Sequence, residues 1–164
     1  MIEIKTFSFT YNHICDRIQF IANAEIINQR IDFWITRRMT RILIKITNKI
    51  LKDSNPLITH PYQESRQAIH SFEFQCSQQS IKKQQKTITL IDKKPILLVK
   101  VDIKTYDNHF EWLYYSPDEE PIAFSSLTRI QMHAINGLIN DQILHADWDL
   151  TDSPLRADES IKMQ

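Results

Sequence analysis

The chain has 164 residues, 42% hydrophobic and 24% charged, with 20 Lys and Arg against 20 Asp and Glu. This composition excludes a chain disordered throughout, and the length allows a core that needs no disulfide staples. Two cysteines form no disulfide framework, and no stretch has the pattern of a secretory signal or a membrane span, so the expected setting is soluble and cytoplasmic.

Apolar residues alternate from the start. Ile2 and Ile4, then Phe7, Phe9 and Tyr11, predict an extended segment with a bulge. Ile14, Ile18 and Phe20 predict a second strand and Ile31, Phe33 and Ile35 a third, with Asn23 and Asn28 near the turns of an antiparallel meander. Thr36 offers an N-cap to a helix over 37–52, whose apolar residues are Met39, Ile42, Leu43, Ile46 and Ile50. Asp53-Ser54-Asn55-Pro56 ends it. A second helix starts at Pro61, with Ala68, Ile69, Phe72 and Cys76 as its buried stripe, and runs into a Gln- and Lys-rich connector over 77–86. Four strands follow at about 87–91, 96–104, 109–115 and 121–125. A last helix over 128–145 carries Leu127, Ala134, Ile135, Leu138, Ile139 and Ile143 on its apolar arc.

The order of about three N-terminal strands, two helices, four strands and one helix predicts an α+β fold of antiparallel β-meanders, with the C-terminal helix packed on the sheet. Residues 1–150 form one domain in this reading, and 151–164 a flexible polar, acidic tail. Each half runs from sheet to helix, as a distant duplication would, although no residues repeat in register.

The strongest local signal is the helix over 37–52. Arg37, Arg38, Arg41, Lys45, Lys49 and Lys52 fall within about a third of a turn, opposite Met39 and Ile46, with no acid among them. Such a face binds an acidic protein surface, nucleic-acid phosphates or anionic lipid. No RNP-type aromatic motif, zinc-finger spacing or helix-turn-helix signature accompanies it. Residues 1–104 hold 17 Lys and Arg against 9 Asp and Glu, and the remainder holds 3 against 11. This split predicts self-neutralisation, with Asp147, Asp149 or Asp152 near the basic helix of the same or a second copy.

The most enzyme-like group is Arg129, His133, Asn136 and Asn140 on one face of the last helix, where an imidazole beside a guanidinium and two amides suits proton transfer. The same spacing fits the solvated outer face of an amphipathic helix, which is the expectation adopted. The six histidines and two cysteines match no zinc spacing. The single glycine, Gly137, excludes phosphate-cradling loops and the G-x-S-x-G elbow. Phe110, Trp112 and Tyr114 share one strand face and read as core, and Trp148 reads as a buried anchor between Asp147 and Asp149. No cofactor, metal ligand or catalytic residue is assigned. The expected function is a non-enzymatic interaction or accessory-subunit domain with a protein partner, itself or another. A nucleic-acid-associated protein using the basic helix is the alternative, and an enzyme with a polar site on 128–145 stands third.

Overall fold

The computed structural model describes residues 1–26, 28–54, 68, 71–73, 75–76 and 94–150. In chain order these form β1 (Ile2–Glu3), β2 (Phe7–Asn12), β3 (Arg17–Ala22), β4 (Ile31–Thr36), α1 (Arg37–Asp53), β5 (Ile96–Leu97), β6 (Lys100–Thr105), β7 (Phe110–Tyr115), β8 (Pro121–Leu127) and α2 (Arg129–His145). The class is α+β, as the order of elements implies. Residues 68, 71–73 and 75–76 are helical. The expected start at Pro61, the strand at 87–91 and the tail over 151–164 lie outside the described residues.

The meanders β2-β3-β4 and β6-β7-β8 are antiparallel, and each gains a fourth strand from the other half, giving sheets β2-β3-β4-β5 and β6-β7-β8-β1. The two added pairings are parallel: Phe33 opposes Ile96, and Ile2 opposes Ala123. Two strands expected to be continuous are therefore divided between sheets. The first breaks at residues 4–6, where the fully buried Asn23 rivets the crossing. Its side chain accepts from Lys5 N at 2.9 Å and donates to Glu3 O at 2.7 Å, while its own φ of 53° is one an asparagine tolerates. The second breaks after Leu97, where Leu98 N turns to Trp34 O and Val99 N to Tyr115 O. Ile14, expected in a strand, is 85% exposed in the β2–β3 turn. That turn is tightened by the Asn12 side chain, which accepts from the backbone of Ile14 and Cys15.

The halves do repeat in register, contrary to the sequence expectation. The shift that takes Thr36 to Thr128 takes the cross-strand pairs Ile18–Ile35, Phe20–Phe33 and Ala22–Ile31 onto Phe110–Leu127, Trp112–Ser125 and Tyr114–Ala123. It also takes buried Leu43, Thr47 and Leu51 onto buried Ile135, Ile139 and Ile143. Thr36, Arg37 and Asn48 recur as Thr128, Arg129 and Asn140. Side-chain identity differs between the halves while backbone pairing, which depends on alternation alone, does not. A shorter β6–β7 hairpin hides the repeat further, because Phe9 pairs with Phe20 but Ile103 with Trp112.

The two sheets face one another through aromatic rings. Phe20 stacks on Phe9 at 4.8 Å and on Phe33 at 5.5 Å, and both Phe20 and Phe33 meet Tyr114 of the other sheet at 5.8 and 5.9 Å. Phe110, Trp112 and Tyr114 form the buried face of β7, as read from their alternation. One core cluster runs from Ile4 to Leu150 and includes residues of both helices.

Candidate functional site

Helix α1 starts where Thr36 accepts a hydrogen bond from Met39 N at 3.2 Å. Its buried side is Met39, Thr40, Leu43, Ile44, Thr47 and Leu51. Ile42 and Ile46, expected in the stripe, are 39% and 40% exposed. The face has rotated because two threonines are buried in their place. Thr40 returns its hydroxyl to Thr36 O at 3.1 Å, and Thr47 lies 2.8 Å from Leu43 O, so neither strands a polar group.

Arg37, Arg38, Arg41, Lys45, Lys49 and Lys52 are all exposed. Arg37 Nη2 donates to the backbone O of Asp149 at 3.4 Å. Among the described residues the ion pairs lie elsewhere, at Lys5–Glu3, Arg30–Asp32, Lys100–Asp102, Lys104–Glu111 and Arg129–Glu73, where the His133 imidazole also meets Glu73. The expectation put the charge of Asp147, Asp149 or Asp152 near the basic helix; the contact of Arg37 at its first turn is with the backbone O of Asp149, and Asp152 lies outside the described residues. Asp16 stands nearby. The indole N–H of Trp148 at 2.7 Å, then the Tyr11 hydroxyl at 2.8 Å, hold its carboxyl below the usual range, with a smaller contribution from the charge of Arg37.

The polar group on α2 is not the solvated face expected of it. His133, Asn136 and Asn140 are 1%, 5% and 3% exposed. Asn136 accepts from Thr47 Oγ1 at 2.6 Å and donates to Asn48 Oδ1 at 3.1 Å, so it joins the two helices. Arg129 donates through Nε to Glu73 Oε1 at 2.7 Å, through Nη1 to Ser54 Oγ at 2.7 Å, and through Nη2 to Leu51 O at 2.6 Å. His133 Nε2 lies 3.1 Å from Glu73 Oε2. One carboxylate thus bridges two residues a helical turn apart, and the guanidinium occupies one carbonyl, Leu51 O, left open at the end of α1. This is a closed ion-pair and hydrogen-bond seam whose guanidinium is committed to neighbours within the chain.

Glu73, Thr47, Asn48 and Ser54 complete the seam and were missed. The signal for Glu73 was present, since an acid sits inside the stripe assigned to Phe72 and Cys76. In that helical stretch Phe72 is 66% exposed and Ala68 is exposed, whereas Glu73 is half-buried. Arg129 and His133 of α2 turn the carboxylate inward.

Between the sheets lies a void of about 10 Å³, bordered by Phe7, Phe9, Phe20, Leu43, Trp112 and Ile139 among others, with room for about one water. Trp112 Nε1 is buried without a hydrogen-bond partner. Among the described residues no three His, Cys, Asp or Glu side chains gather as metal ligands, and no helix is long and apolar enough to cross a membrane. No protein-family model matches the chain, and neither the curated proteins nor the solved structures give a match to it.

Proposed function

We propose that the chain is an interaction module whose docking surface is the exposed face of α1 and whose partner is an acidic protein. The observation that carries this reading is the composition of that face. Five cations, Arg38, Arg41, Lys45, Lys49 and Lys52, are exposed without ion-pair partners among the described residues, beside Ile42 and Ile46. Unpaired like charges along one helix face repel one another, and an acidic partner relieves that repulsion. The two isoleucines favour a protein over nucleic acid as partner, because a phosphate backbone gives apolar side chains nothing to bury against.

The test compares two labelled ligands, an acidic amphipathic helical peptide and a DNA duplex, against the full chain at low salt. Peptide binding that weakens with salt and with Lys45→Glu/Lys49→Glu, and that also weakens with Ile42→Ser, supports a protein partner. Tighter binding to the duplex, with Ile42→Ser without effect, favours the nucleic-acid reading. Binding to neither ligand removes α1 as a docking surface.

A further inference from the structure

The shift that superposes the two halves places Arg37 on Arg129 and Arg41 on His133. On α2 these positions are occupied. The Glu73 carboxylate, carried on a helical stretch, bonds Arg129 Nε at 2.7 and 2.9 Å and lies 3.1 Å from His133 Nε2. On α1 the same two positions are exposed, and both carry guanidinium groups. The neighbouring positions differ in the same sense, for buried Gly137 matches exposed Lys45, and partly buried Ala134 and Leu138 match exposed Ile42 and Ile46. One unit therefore has a cover on this face, and its equivalent presents the face open.

We infer that Arg37 and Arg41 receive a carboxylate borne on a helix of the partner protein, seated on α1 as Glu73 is seated on α2. The inference rests on the reading of α1 as a docking surface and specifies its centre and the chemistry of its partner. A carboxylate can accept from two guanidinium groups spaced one turn apart, and Arg forms such forked bonds better than Lys or His. Ile42 and Ile46 lie one turn apart beside that pair, so the partner helix carries an apolar side chain next to its acid. The long side chain of Lys45 where α2 has Gly137 keeps the partner further from the backbone than a covering segment can come on α2.

The experiment uses the full chain and two fluorescent alanine-based helical peptides. One carries a single Glu flanked by Leu at helical spacing, and the other has Gln in place of that Glu. Fluorescence anisotropy at low salt is expected to show the Glu peptide binding about tenfold more tightly than the Gln peptide. Arg37→Gln/Arg41→Gln should remove that tenfold advantage and leave the Gln peptide unaffected. Arg41→Gln alone, at an exposed side chain with no hydrogen bond or ion pair among the described residues, should remove most of it without altering stability. Lys49→Gln/Lys52→Gln should change affinity less than about twofold. Equal binding of the Glu and Gln peptides overturns the inference, as does an unchanged preference in Arg41→Gln. If affinity instead follows Lys45 and Lys49, the docking surface stands and this assignment of its centre falls. If neither peptide binds, while the acidic amphipathic peptide tested above does, the inference alone falls, and if none of the three binds, both readings fall.

Discussion

Arg37 and Arg129 occupy the same position of their helices, one residue after an N-cap threonine, and each reaches the C-terminal end of the other helix or the chain just past it. Arg129 holds Leu51 O in the last turn of α1 and Ser54 Oγ just past it, and Arg37 holds the O of Asp149 past the last turn of α2. The relationship is reciprocal in direction and unequal in strength. The bonds of Arg129 to the end of α1 are 2.6–2.7 Å long in a half-buried setting, whereas that of Arg37 is 3.4 Å and exposed.

Arg129→Ala is therefore expected to destabilise the fold by about 2–3 kcal/mol, since it strands Glu73 and frees a helix end together. Arg37→Ala should cost less than about 1 kcal/mol. Urea unfolding of the two variants checks the difference, and equal losses would show that the equivalence extends to energetics.

The Thr47–Asn136 bond lends itself to a double-mutant cycle. Thr47→Val leaves buried Asn136 Oδ1 without its donor and Asn136→Ala removes the donor to Asn48 Oδ1, so each should cost about 1–3 kcal/mol. The double variant should cost clearly less than the sum, and simple additivity would mean that the 2.6 Å contact contributes nothing.

Asp16 fixes the sign of one pH effect. Its folded pKa lies below the ordinary 3.8, so the stability it contributes is present above that value and is lost as pH falls through the lower, folded value. Asp16→Asn should lower the melting temperature at pH 7 and flatten the decline of stability below about pH 4. Parallel acid limbs for the two proteins would show that the bonds from Trp148 and Tyr11 do not favour the ionised carboxyl.

The rotation of α1 is checked by three serine substitutions. Ile42→Ser and Ile46→Ser should stay within about 0.5 kcal/mol of the parent, and Leu43→Ser should cost several times more. Thermal melts that rank Ile46 with Leu43 would restore the stripe read from hydrophobicity alone.

Most of the fold was legible where local alternation or capping determines it. The meanders around Phe20 and Trp112, the cap at Thr36 and the bounds of both long helices follow from period-two and period-3.6 patterns. The exchange of β1 and β5 was not legible, because a strand of two residues has no periodicity and its partner lies in the other half of the chain. The buried stripe of α1 was misplaced because Thr40 and Thr47 count as polar until the Thr40 hydroxyl is seen bonded within the helix and that of Thr47 to Asn136. The polar face of α2 was read as solvated because its acid, Glu73, comes from a segment far away in sequence.

The crossing of β1 to β8 also sets the timing of biosynthesis. Ile2 has no strand to pair with until Ala123 has been made, so the first strand leaves the ribosome long before its neighbour exists. At about 5–20 residues per second, the intervening stretch takes on the order of 6–25 s to translate. For most of that interval, until Ile96 and Leu97 have been made, β4 also lacks β5 at its side, and its open edge is available to chaperones or to a neighbouring nascent chain. Folding of this sheet pair is thus bound to occur late, after most of the chain has emerged, and at a rate limited by distant contacts rather than by helix formation.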